Sequence, residues 1–201
     1  MARPKGTTRA KKPIFKQEYK KLMAAVDRSF ELQDMTKTKF KAAFTLLYIT
    51  GCRISEIMPL KIDDIEQMIR ENEYSLTNNT KTKRPRLIIF DTNRQQVSFI
   101  QKTILPLYDD KDAFLFSRNN SNAAMSAASF NLQMNRFIHK VLGEYYSTHS
   151  FRAGYVTVSH QQGLSLEHIR QDIGHKDIAT TARYATVTND EISKAKNSRQ
   201  W

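Results

Sequence analysis

Apolar residues return at every third or fourth position from Phe15, at Tyr19, Leu22, Met23 and Val26, and this period predicts an amphipathic helix. A second, more apolar helix is predicted over about residues 37–49, with Gly51 as its C-terminal stop. Between about residues 62 and 90 the pattern changes to short alternating or β-rich pieces, with Asn78 and Asn79 at a turn. Residues 86–90 form the best strand there, paired with residues around 73–77. Helical spacing resumes over about 93–104, where Val97, Ile100, Thr103 and Ile104 make one face before Pro106. After the apolar run Phe114, Leu115 and Phe116, further helices are predicted over 126–142, 150–161, 166–173 and 178–187. No fixed-period repeat is present. The pattern predicts an α+β domain, mostly helical with one small antiparallel sheet.

A chain of 201 residues suits one domain, or one domain with a small appendage. Lysine and arginine (32) exceed aspartate and glutamate (20) by 12, which makes the chain strongly basic. That balance favours a polyanionic partner, nucleic acid first, because each phosphate neutralised releases condensed counterions. An acidic membrane surface or an acidic protein is the blander alternative. The apolar runs, such as 42–50, are too short to span a bilayer, and the N-terminus lacks a signal peptide's apolar core, so a cytoplasmic address is expected. A single cysteine, Cys52, excludes an internal disulfide framework and a multi-cysteine zinc site. Residues 1–13 carry Arg3, Lys5, Arg9, Lys11 and Lys12 without an acid, which reads as a flexible basic arm, either gripping phosphate or solubilising.

The chain contains no Gly-x-Ser-x-Gly, no glycine-rich phosphate loop and no His-Glu-x-x-His. Asp63 and Asp64 are neighbours, which do not face each other on a helix, so a helix start explains them better than a two-metal site. What stands out is cationic and imidazole chemistry. Arg53 follows Gly51 and has Glu56 three positions on, which could hold the guanidinium in a fixed orientation or form an ordinary surface ion pair. His149 and Arg152 lie at i and i+3 near a helix start, where backbone N–H groups favour anions; a capping Thr148 with incidental neighbours is the plainer reading. Gly174 and His175 read as opening another short helix, with Tyr184 nine residues beyond the histidine.

Taken in order, Thr50-Gly51-Cys52-Arg53-Ile54-Ser55-Glu56, His149-Ser150-Phe151-Arg152-Ala153-Gly154, and Gly174-His175 followed by Tyr184 resemble the catalytic domain of the tyrosine recombinases, the phage integrase family, over about residues 14–190. The resemblance implies that Arg53 and Arg152 clamp a scissile phosphate and that Tyr184 is the nucleophile. It places His149 and His175 in the same phosphate-binding set, with His149 also a proton acceptor. The family's catalytic lysine lies in a β-hairpin turn, a place held by Lys81, with Lys83 as the alternative. Residues 191–201, ending in Trp201, would form a tail that docks on a neighbouring subunit. With only the arm before the catalytic part, the chain is expected to resemble short members such as the fimbrial invertases, without the N-terminal DNA-binding domain.

The chemistry fits these residue types. A phosphodiester is already negative and gathers more charge in its transition state, which preorganised guanidinium and imidazole donors stabilise. A phenol with an ordinary pKa near 10 needs an acceptor and a positive field to attack. The resemblance therefore implies a 3′-phosphotyrosyl intermediate, a free 5′ hydroxyl and no cofactor or metal. Its implied partners are double-stranded DNA carrying specific recombination sites, a homotetramer on synapsed DNA, accessory DNA-bending proteins and no membrane. The implied activity is site-specific recombination, whether integration, excision, inversion or resolution, in a bacterial, phage or mobile-element host and associated with the nucleoid. A topoisomerase-like relaxation of one duplex uses the same chemistry, and a silent DNA-binding regulator would keep the fold without turnover. Tyr155, Tyr145 and Tyr146 are the reserve nucleophiles.

Overall fold

A computed structural model describes residues 11–76, 85–89, 95–118, 123–175, 177–182 and 184. It is mostly helical with one two-stranded antiparallel sheet. Helix α1 (Lys16–Arg28) buries Tyr19, Leu22 and Val26, the face its period predicts. Helix α2 (Asp34–Thr50) starts three residues earlier than expected, on the acid that suits a helix N-terminus, and closes at Gly51 with φ 59°. It is buried along most of its length and packs on α7 (Thr148–Gln161) and α1, and α6 (Ala127–Leu142) meets it through Phe130 and Phe137.

Aromatic side chains fill the space between these helices. Phe44 of α2 stacks on Phe151 of α7 at 5.5 Å, and Phe40 meets Phe130 of α6 edge-on at 5.6 Å. Each such ring buried stabilises the fold by about 1.5–3 kcal/mol. Phe151 directly precedes Arg152, and Phe44 lies two turns before the Thr50-Gly51 corner. The same contact that makes the core therefore sets the two arginine segments side by side.

The short helix α3 (Ile54–Ile57) follows, and then α4 (Ile62–Glu71). The second corrects the expectation of β-rich pieces from residue 62. Ile62, Ile65, Met68 and Ile69 are buried at helical spacing, and Asp63 and Asp64 occupy the first turn, where acids favour a helix. Strands β1 (Glu73–Leu76) and β2 (Arg86–Ile89) pair as expected, with Tyr74 opposite Ile88 and Leu76 opposite Arg86. In β2, Arg86 and Ile88 point inward, Leu87 and Ile89 outward. The turn at Asn78 and Asn79 lies outside the described residues.

Helix α5 (Gln95–Phe99) runs into a π-wound turn (Ile100–Ile104) and a 3-10 turn (Leu105–Leu107). Val97, Ile100 and Ile104 are buried as expected, but Thr103 is exposed, because the wider π winding rotates it off the α-helical face. Helix α8 (Leu166–Asp172) packs on α7 and touches β2, and α9 (Ile178–Ala182) packs on α8. A small second core of Val156, Ile169 and Ile173 joins α7 to α8. No helix among the described residues is long and apolar enough to cross a membrane.

Candidate active site

The first arginine is set by a corner. At the end of α2, Thr50 donates its Oγ1 proton to the Leu46 carbonyl and accepts from the Cys52 amide, so the chain turns within a residue of the helix end. Gly51 allows this, because its left-handed φ strains any side chain and a Cβ there would lie 2.6 Å from the Tyr155 ring. Arg53 emerges half-buried. Its Nη1 donates to Glu56 Oε1 at 2.7 Å, and its amide donates to Glu56 Oε2 at 2.7 Å. Glu56 is 1% exposed, so this is no surface pair: the carboxylate fixes both the main chain and the side chain of Arg53.

The second arginine rises from the second turn of α7. Ser147 is the N-cap, with its amide bonded to Ser150 Oγ, while Thr148 is the first helical residue and donates to Asn131 Oδ1. Arg152 is 3% exposed. Its Nη1 donates to the Gly51 carbonyl at 2.9 Å, its Nη2 to the Ile173 carbonyl, and its Nε to His175 Nε2 at 3.2 Å. Two loops distant in sequence are thereby tied to one guanidinium, and two of its five N–H donors take no partner among these bonds. Burial first, then the charges of Arg53 and Arg86, push its pKa down to about 9, so it stays cationic at neutral pH.

Gly174 ends α8 with φ 65°, and His175 lies in the turn before α9 instead of opening a helix, because the left-handed glycine stops the winding. His175 is 8% exposed. Since its Nε2 accepts from Arg152, its Nδ1 carries the proton and donates to Thr181 Oγ1 at 3.0 Å. Burial, then Arg152, Arg53 and Arg86, hold its pKa at about 3, so it is neutral. In this arrangement the imidazole positions Arg152. Tyr184 follows α9 with its ring centroid 6.4 Å from that of His175. Its amide bonds the Thr181 carbonyl, and its own carbonyl accepts from Thr157 Oγ1 at 2.8 Å.

His149, one turn before Arg152, is open to solvent on one side. Burial on the other, then the charges of Arg152, Arg53 and Lys11, lower its pKa, which makes it a neutral base at physiological pH. Lys11 is near because the end of the basic segment is seated. The Lys12 amide bonds the Tyr145 carbonyl and the Ile14 amide bonds the Ser150 carbonyl. Gly154 leaves room for this, since a Cβ would stand 2.1 Å from the Ile14 oxygen.

The structure thus gathers Arg53, His149, Arg152, His175 and Tyr184 from four segments. Lys81, Lys83 and Trp201, with the rest of residues 1–10 and 185–201, lie outside the described residues. Tyr155 spends its phenol proton on Asp172 Oδ2 at 2.7 Å, and Tyr145 lies under the Lys12 ammonium. The sequence reading missed Arg86. This strand residue is 5% exposed and donates to Glu56 Oε2 at 2.9 Å. The available signal was its phase in β2, since it alternates in step with buried Ile88, but apolar Leu87 and Ile89 on the other face hid which side was the inner one.

A family profile described as the phage integrase family matches residues 12–191. Tyrosine recombinase XerA of Pyrococcus horikoshii is 25% identical over 194 residues, 96% of this chain and 62% of that protein. Tyrosine recombinase XerC of Staphylococcus haemolyticus is 25% identical over 151 residues, 74% of this chain and 49% of that protein. The chain therefore spans about half to three-fifths of the length of these curated relatives. Among solved structures, the Tn1549 transposon integrase in complex with a circular intermediate DNA superposes with a TM-score of 0.74 at 18% identity, covering 98% of this chain and 68% of that one. A crystal structure of XerA recombinase gives 0.69 at 20% identity, covering all of this chain and 68% of the other. These structural likenesses concern the fold.

Proposed function

The chain belongs to the phage integrase family, and from that premise we propose that it is a site-specific DNA recombinase that cuts and rejoins strands through a 3′-phosphotyrosyl intermediate. The observation that carries the reading is the gathering of Arg53, two neutral histidines and, beside His175, Tyr184 about Arg152, which is itself bonded to the Gly51 and Ile173 carbonyls.

Arg53 and the two remaining donors of Arg152 hold the non-bridging oxygens of the phosphate and stabilise the charge that grows there. The Tyr184 oxygen attacks phosphorus, and the bond from phosphorus to the 5′ oxygen breaks. His149 accepts the phenol proton, for which its lowered pKa keeps it unprotonated. The leaving 5′ oxygen takes a proton from a general acid, the role we assign to Lys81. The phosphotyrosyl ester preserves the energy of the broken bond, so a 5′ hydroxyl of the exchanged strand reverses the step. Four protomers on two synapsed sites, and a neighbour docked by residues 191–201, complete the proposal for the DNA-bound assembly. Residues 1–13 and 14–190 serve in it as a phosphate-gripping arm and the catalytic domain.

A nicked suicide substrate, from which the cut 5′ fragment diffuses away, tests this. The wild-type chain traps a covalent DNA adduct; Tyr184→Phe binds the same DNA and traps none. An adduct that survives in the Phe variant moves the nucleophile to another tyrosine, and a wild type that binds DNA without an adduct makes the chain a binding protein.

A further inference from the structure

Arg86 is a buried cation outside the catalytic set, 5% exposed, and its contacts converge on that set. Its Nη1 donates to Glu56 Oε2 at 2.9 Å and lies 3.7 Å from Cys52 Sγ. Its Nη2 donates to the Thr50 carbonyl at 3.2 Å, and its Nε to the Asp172 carbonyl. One planar group therefore braces the corner that delivers Arg53 and the turn that delivers His175, with its aliphatic stem lying against Gly174. Only a guanidinium can do this, since its fork offers donors in three directions.

The charge balance gives the arrangement a consequence for chemistry. Glu56 uses Oε1 on Arg53 and shares Oε2 between the Arg53 amide and Arg86. One carboxylate thus bonds two guanidinium ions; with Arg152 and the Asp172 carboxylate also in range, three cations face two acids, and a net positive charge is left toward the half-exposed end, where Arg53 opens to solvent. Without Arg86, Glu56 would neutralise Arg53 alone and hold it inward. Resting on the recombinase reading, we propose that Arg86 is a positioning residue for the cleavage step, which offsets the Glu56 charge so that Arg53 stays cationic in its field and aimed at the scissile phosphate, without touching the DNA itself.

The test compares two scissile linkages in the nicked substrate: an ordinary phosphodiester and a methylphosphonate, which lacks the non-bridging negative charge that an arginine clamp serves. On the phosphodiester, at saturating protein, Arg86→Met slows adduct formation about 10- to 100-fold while the Kd for the DNA stays within about threefold. On the methylphosphonate the gap between the variant and the wild type closes by most of that factor. Arg86→Lys keeps the charge but loses the fork, so it falls between the two on the phosphodiester, and it carries the test should the Met variant fold poorly. Defects that are equal on both linkages, that track the unfolded fraction in a melting curve, or that appear only in Kd would make Arg86 a purely structural brace and overturn the inference. A wild type that forms no adduct overturns the recombinase reading and the inference with it, whereas an active wild type matched by both variants overturns the inference alone.

Discussion

Arg152 ends in a web of two backbone carbonyls and a buried imidazole, and Arg86 in two carbonyls and a buried carboxylate. Tyr184, by contrast, follows a five-residue helix and is held by two main-chain hydrogen bonds and by packing on the small cluster of Val156, Ile169 and Ile173. Arg53 and Arg152 grow out of the aromatic core, because α2 and α7 meet at Phe44 and Phe151, and Arg86 reaches the same corner from β2. Tyr184, the proposed nucleophile, rests on a separate, lighter platform. The positive field is thus part of what makes the chain fold, while the placement of the phenol is a nearly independent local matter. The difference teaches that donors meant for the charge growing on a phosphoryl-transfer transition state are fixed beforehand by the core, whereas Tyr184 is held by local contacts.

The contrast is broken or sharpened most by substituting one residue from each side. Tyr184→Phe is expected to abolish adduct formation while the melting temperature moves by no more than about 2 °C, since only one ring hydroxyl is lost. Arg152→Met is expected to lower the cleavage rate about 10²- to 10³-fold and also to destabilise the fold by about 1–3 kcal/mol, because it orphans two buried carbonyls and the His175 Nε2. Both are read by suicide-substrate trapping alongside thermal melting. An Arg152→Met chain as stable as the wild type would erase the distinction between the two halves.

Acid is expected to act on the arginine side next. His175 has its pKa held at about 3 by burial and by three cations, against an ordinary value of 6.5. The unfolded chain binds a proton below about pH 6.5 that the native chain refuses, so stability falls as the pH drops through that range toward 3. The loss is about 1 kcal/mol at pH 5.5, measured by denaturant titration across pH, and His175→Gln flattens the slope. The smallest effect belongs to the tyrosine platform. Thr157→Val removes the hydroxyl that bonds the Tyr184 carbonyl and is expected to slow cleavage by about three- to fivefold, with less than about 1 kcal/mol of stability lost. A larger loss of stability than of rate would show that Tyr184 belongs to the core after all.

Much of this was legible along the chain. The period of Tyr19, Leu22 and Val26 gave α1 its buried face, and alternation placed the strand at residues 86–89. The order of Arg53, His149, Arg152, His175 and Tyr184 singled out residues that the fold gathers. The reading of β-rich pieces after residue 62 failed because Ile62, Ile65, Met68 and Ile69 span only about two turns, and a polar surround blurs so short a period. Glu56 could be named as a partner of Arg53 because three residues on a helix are neighbours. Arg86 could not be named as its second partner, being thirty positions away.

The sequence by itself determined which side chains were available, which faces of the helices were apolar and where the chain had to turn, because these follow from side-chain chemistry and from spacing over a few residues. The tertiary structure alone decided that Glu56 serves two cations, that His175 spends both nitrogens on Thr181 and Arg152, and that Arg86 ties the Thr50 corner to the end of α8. Those facts depend on which distant carbonyl or carboxylate lies within three ångströms of a donor, and that is fixed only when the helices pack and water is excluded between them.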